Sequence, residues 1–148
     1  KIKLVIVGDG PVKSKLDILV EKLAVKENVE FKGYTSMEDK NRLISQSNAM
    51  VFPSLCEGFG LVILEAFNHS RPVIVSNVRP MSDIVNHGKT GFVLDAKDEN
   101  VWANHILKLS SDLDFSSKMG KQCKQVLENN YSQTKMFDGI FSMYNDVL

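Results

Sequence analysis

Glu57 and Glu65 are the residues of this chain best suited by type and spacing to do chemistry. Seven residues separate them, and between them a Gly58-Phe59-Gly60 bend opens into the apolar run Leu61-Val62-Ile63-Leu64. An ionised carboxylate only accepts hydrogen bonds, so each glutamate suits hydroxyl donors of a ligand. A helix starting between them exposes unpaired backbone N–H groups and the positive end of its dipole, which favour an anion. At ~1.5 Å rise per residue, Glu65 lies roughly 7 Å along the axis from Gly60. That offset fits phosphates at the helix tip with hydroxylated groups on either side. A nucleoside-diphosphate sugar has this layout.

The elements that must position these residues follow from the pattern. Lys3-Leu4-Val5-Ile6-Val7 is an apolar run ended by Gly8, which reads as a strand buried on both faces. Pro11 fits the first turn of a helix reaching about Val25, with Leu16, Leu19, Val20 and Leu23 at helical spacing. Val29 to Lys32 is a second strand, stopped by Gly33. Thr35 or Ser36 caps a helix to about Ser47, with Leu43 and Ile44 facing inward. Ala49 to Phe52 is a third strand and Phe59 to His69 the helix after it. Pro72 to Ser76 is a fourth strand. A loop and short helix lead to a fifth, Gly91 to Leu94. From Asp98 the chain reads as helical, with breaks near Asp112 and Tyr131. Its last segment, Ser132 to Leu148, has Met136, Phe137, Ile140, Phe141 and Tyr144 on one side. Alternating strands and helices predict an α/β fold: a Rossmann-like, doubly wound parallel sheet with helices on both faces. Ligands of such sheets bind beyond the carboxyl ends of the strands, where Gly8, Gly33, Pro53 and Ser76 all fall.

Composition excludes several classes. The chain has 148 residues and a formal net charge of zero, so no basic excess points to nucleic acid. Hydrophobic content of 43% is enough for one domain with a core. Cys56 and Cys123 match no metal or disulfide spacing, which suits a reducing compartment. No apolar run approaches the ~20 residues of a membrane span, and no signal peptide is visible. The chain opens on Lys1 inside an expected strand, and we read it as a piece of a longer protein.

The ordered blocks Val5-Ile6-Val7-Gly8-Asp9-Gly10-Pro11, Val29 to Tyr34, Pro53 to Ala66, Arg71 to Val75 and Gly88 to Val93 carry a resemblance over essentially the whole chain. It resembles the C-terminal, donor-binding domain of a retaining family-4 (group 1) glycosyltransferase with the two-domain GT-B fold. The resemblance implies that residues 1–148 are one nucleotide-sugar-binding domain, lacking its first strand–helix unit and an N-terminal acceptor domain. It implies a hexose transferred from a UDP or GDP sugar, with retention, to a sugar, glycan or lipid-linked acceptor. Glu57 would be the catalytic-site residue facing the transferred sugar. Backbone N–H groups of Phe59, Gly60 and Leu61 would hold the diphosphate, and Glu65 the ribose hydroxyls. Tyr34 to Ser36 would flank the base, and Gly8 and Gly10 would admit backbone close to the ligand. No metal or cofactor is implied. The setting would be cytoplasmic, with room for peripheral association at the inner face of a membrane. One departure is the loop Asn77-Val78-Arg79-Pro80-Met81-Ser82-Asp83, where the family carries a Gly-Gly pair and a Glu. Arg79 is there a candidate for a phosphate or acceptor contact.

Other readings compete. Gly8-Asp9-Gly10 resembles half of a dinucleotide fingerprint, but the sixth position is Lys13, which disfavours NAD. A glycosidase-type carboxylate pair is disfavoured because Glu57 and Glu65 fall on opposite sides of the expected phosphate site. His69, His87 and His105 have no ligand spacing. Cys56 reads as a small loop residue, Trp102 and the terminal aromatic stripe as core with part facing a partner domain, and Lys118, Lys121 and Lys124 as a solvated face. A non-catalytic nucleotide-sugar-binding module, and a sugar phosphorylase or nucleotide-sugar epimerase relative, remain as alternatives.

Overall fold

The computed structural model describes residues 2–145. The chain divides into two units, Lys1–Leu43 and Ile44–Leu148. Among the described residues five strands are all parallel to their neighbours, and the ladders lie within the units as one two-stranded and one three-stranded sheet.

In the first unit β1 (Leu4–Val7) pairs with β2 (Val29–Gly33), joined by helix α1 (Lys13–Lys22) and a short 3-10 segment. The expectation that β1 is buried on both faces is corrected: Leu4 and Val7 are exposed, and Val5 and Ile6 half-buried. Among the described residues β1 pairs with β2 only, so one edge of it has no neighbouring strand. Helix α1 also starts later than expected. Pro11 lies in a turn closed by the Lys13 N–H bonding to the Gly10 carbonyl at 3.1 Å, and Val12 is the residue before the helix. Helix α2 (Met37–Gln46) begins after Ser36, whose Oγ accepts the Asp39 N–H at 3.0 Å, the cap expected from sequence.

In the second unit the strands run in order β3 (Met50–Phe52), β4 (Val73–Ser76), β5 (Gly91–Leu94). Alternate side chains point to opposite faces of a strand, and both faces here are covered. Val73 and Val75 pack with Ile63, Ala66 and Phe67 of α3 (Leu61–Asn68), Met81 and Ile84 of α4 (Met81–Ile84), and Cys123. Ile74, Phe92 and Leu94 pack on the other face with Trp102 and Leu109 of α5 (Glu99–Ser111) and Met119 of α6 (Leu113–Asn130). Covering on both faces is why β4 is buried along its whole length. Asp98 and Asp112 cap α5 and α6, accepting the N–H of Val101 and Phe115, so the helix break expected near Asp112 is a capped junction.

Helix α7 (Gln133–Asn145) contains no buried residue. Its aromatic stripe, expected mostly in the core, is exposed at Met136, Phe137, Ile140, Phe141 and Tyr144. Helical spacing makes an apolar face but does not supply what covers it. The end of the expected Ser132 to Leu148 helix lies outside the described residues.

Candidate functional site

Residues 53–60 leave β3 as a non-helical loop and deliver the chain to α3. The helix starts at Leu61 rather than at Phe59 as expected, because Gly60 is left-handed at φ 85° and ψ 44°. A right-handed helix cannot continue through that conformation, and L side chains rarely adopt it. Gly60 is also crowded: an added Cβ would stand 3.1 Å from Ile63 Cδ1 and 3.6 Å from Glu57 Cγ. Ile63 is the tight neighbour, while the Glu57 side chain lies at ordinary contact distance against the start of the helix. The Glu57 carboxylate accepts its neighbour Gly58's N–H through Oε1 at 3.0 Å. Ser54 Oγ donates to the Cys56 carbonyl at 2.8 Å and tightens the same loop.

On α3, Ile63, Ala66 and Phe67 point into the core. Leu61 and Glu65 lie four residues apart and so share a face one turn apart. Leu61 is exposed and Glu65 half-buried, so this face is the flank of the helix. The N–H groups of Leu61 and Val62 open the helix, with no carbonyl of its own one turn back to accept them. The structure thus brings Glu57, Phe59, Gly60, Leu61 and Glu65 together around one bend. It presents a hydrogen-bond-donating helix tip with one carboxylate at the bend and a second a turn into the helix.

Parallel pairing sets Phe52 beside Val75 and Ser76 beside Leu94, so the loops after β3, β4 and β5 leave one edge of one sheet. Sequence reading gave no role to the side chain of Ser76. It is fully buried at the end of β4, and its Oγ has no hydrogen-bond partner among the described residues. Nothing in the residue pattern marks a serine that closes a strand in this way.

The first unit holds the other candidates. Gly8, at φ 114°, follows β1, and its N–H bonds to the Gly33 carbonyl at 2.8 Å. Gly10 has open space where a Cβ would be. Tyr34 is 84% exposed after β2. Ser36 is engaged as a cap, and its hydroxyl also bonds Asp39 Oδ2 at 3.0 Å. The Arg42 guanidinium first, and Ser36 second, hold the Asp39 carboxyl below its usual range. Among the described residues no group of three His, Cys, Asp or Glu side chains gathers as for a metal, and no helix is long and apolar enough to cross a membrane.

Comparison with known proteins fits this frame. Residues 1–126 match the model of the family described as glycosyl transferases group 1. The chain is 30% identical over 146 residues to N-acetyl-alpha-D-glucosaminyl L-malate synthase of Bacillus anthracis, covering 99% of this chain and 38% of that protein. It is 27% identical to a poly(ribitol-phosphate) alpha-N-acetylglucosaminyltransferase of Staphylococcus aureus, over 97% of this chain and 29% of that protein. The crystal structure of a TarM mutant from S. aureus, in complex with fondaparinux, alpha-GlcNAc-glycerol and UDP, superposes with a TM-score of 0.87. It is 26% identical, covering 97% of this chain and 29% of that one. The chain belongs to the group 1 glycosyl transferase family, and its Rossmann-like α/β fold is that of the C-terminal domain of a GT-B glycosyltransferase. It spans about two-fifths or less of the length of these relatives.

Proposed function

We propose that this chain is the nucleotide-sugar-binding domain of a retaining glycosyltransferase, which transfers a hexose from a UDP or GDP sugar to an acceptor held by an N-terminal domain. The observation that carries the reading is the left-handed Gly60 bend, with Glu57 packed against it and Glu65 one turn into α3. The helix tip is suited to the diphosphate. Glu57 is suited to the hydroxyls of the transferred sugar, and Glu65 to those of the ribose. The resemblance alone implies further donor contacts at Gly8, Gly10, Tyr34 and Ser36. Among the relatives, the named products carry N-acetylglucosaminyl groups, and the TarM complex holds UDP, which supports a nucleoside-diphosphate donor.

Catalysis in this reading rests on placement and on stabilising the charge of the leaving diphosphate. This chain's own contribution is to bind and orient: backbone N–H groups fix the phosphates and Glu57 fixes the sugar that departs from them. The chain by itself would bind nucleotide weakly and turn over nothing measurable.

The test is a thermal-shift panel of UDP, GDP and ADP with their sugars on the full-length protein, since a ligand that binds the native state raises apparent stability. One base should stand out. Glu65→Gln should weaken its binding about tenfold or more, the scale of a lost hydrogen bond to a charged group. Glu57→Ala should abolish most transfer while nucleotide binding persists. No shift with any nucleotide, or full transfer by the Glu57 variant, overturns the reading.

A further inference from the structure

We propose that Arg79 is a specificity-determining residue that recognises a carboxylate or phosphate on the substrate, next to the transferred sugar. The inference rests on the donor-domain reading above. It starts from the loop that joins β4 to α4. Since β3 and β4 are parallel neighbours, this loop leaves the same sheet edge as the one that carries Glu57, one strand over. Substrates of such sheets lie beyond that edge.

The loop is short and pinned. Asn77 donates its N–H to the Leu94 carbonyl at 2.7 Å, and Val78 donates to Ser76 at 2.8 Å. Ser82 donates back to the Val78 carbonyl at 3.1 Å and Asp83 to the Pro80 carbonyl at 3.0 Å. Val78 packs against the core on one side of Arg79, and Met81, fully buried, anchors the other. Between these two anchors the Arg79 side chain is 85% exposed. A cation on a backbone this fixed does not need to be ordered before it binds, which lowers the entropic cost of a contact.

The arginine is only partly used within the protein. Its Nε lies 3.4 Å from Asp83 Oδ1, an exposed pair of the kind worth little in water. Its two terminal nitrogens have no protein partner among the described residues. That leaves the planar pair of donors that grips carboxylate or phosphate in a bidentate way. The anionic group belongs either to the donor sugar, as in a uronic acid, or to the acceptor. The recognition chemistry is the same in both cases.

The experiment uses the full-length protein and calorimetry, with wild type, Arg79→Gln and Arg79→Glu. In the donor arm, UDP-glucose is compared with UDP-glucuronic acid, or the matching GDP pair if guanine is the base selected. In the acceptor arm, with the nucleoside diphosphate saturating, glycerol 3-phosphate is compared with glycerol. In one arm the ratio of anionic to neutral affinity should fall about tenfold in Arg79→Gln, the scale of one charge-assisted contact, and further in Arg79→Glu. The arm that responds identifies the source of the anion. Nucleotide binding by all three proteins with no change of ratio in either arm overturns this proposal and leaves the donor-domain reading standing. Absence of nucleotide binding in wild type overturns both.

Discussion

The two units of this chain are built from the same strand–helix–strand unit and bury it very differently. In the second, β4 has strands on both sides and helices on both faces, and none of its residues reaches solvent. In the first, no residue of β1, β2 or α1 is fully buried, and Ile18 and Leu19 of α1 and Leu23 just after it stay exposed. The candidate site's two glutamates and its bend belong to the second unit. A site that must hold a ligand between fixed groups is better built on elements locked by packing, and the contrast in burial locates that locked part.

The largest expected effect tests the tight side of the contrast. Gly91 lies beside Val73, where an added Cβ would stand 2.0 Å from the Val73 carbonyl oxygen. The strands would have to separate, so Gly91→Ala should cost more than about 4 kcal/mol in urea unfolding or prevent folding. Phe67→Ala comes next. The side chain is completely buried between α3 and the sheet, and truncation should cost about 3–5 kcal/mol by leaving a cavity. A loss under 1 kcal/mol at Phe67 would mean the core is looser than its burial implies.

Gly60→Ala should be smaller, about 1–3 kcal/mol, since it combines a left-handed backbone with a tight contact to Ile63. Its functional effect should exceed its effect on stability, because relieving the left-handed strain would move the bend that joins Glu57 to the helix tip. Nucleotide affinity that falls no further than stability predicts would argue that the bend serves folding alone. In the other unit, Ile18→Gln replaces a 69% exposed side chain on α1. It should change unfolding by no more than about 0.5 kcal/mol, as surface substitutions usually do.

How much of this was legible in the sequence follows the same division. The five strands and the glutamates flanking a glycine bend were readable, because short apolar runs bounded by turn residues mark strands. The break near Asp112 was readable, while the cap that Asp112 makes there came from the structure. Burial was not readable. Leu4-Val5-Ile6-Val7 and Val73-Ile74-Val75 read alike, yet one strand is half-open and the other closed, because burial depends on which elements pack on each face. The stripe on α7 failed for that reason. Gly60 was read as part of a helix-opening turn, but its left-handed conformation, which moves the helix start to Leu61, has no signature beyond the glycine itself.

The smallest prediction sets charge against burial. Glu30, on β2 in the first unit, is bonded by Lys3 at 2.6 Å and by Lys32. The Lys3 hydrogen bond first, then that of Lys32, pull its carboxyl down to about 2 from an ordinary 4.5. A folded-state value below the unfolded one means the stabilising contribution is complete above pH 4.5 and is lost as pH falls towards 2. The Glu30 side chain is 34% exposed and both pairs are open to solvent, so the contribution should be slight and should fade in salt. Stability measured from pH 6 down to pH 2 should therefore drop a little more steeply in wild type than in Glu30→Gln, and the difference should vanish at high ionic strength. In the second unit the Cys123 thiol runs the other way. Burial raises it to about 12 from 9, so its contribution is whole below pH 9 and is lost only above it. If acid weakened the Glu30→Gln protein as steeply as wild type, the pairing on the open sheet would be incidental, and whatever stability the first unit has would rest on its sparse packing.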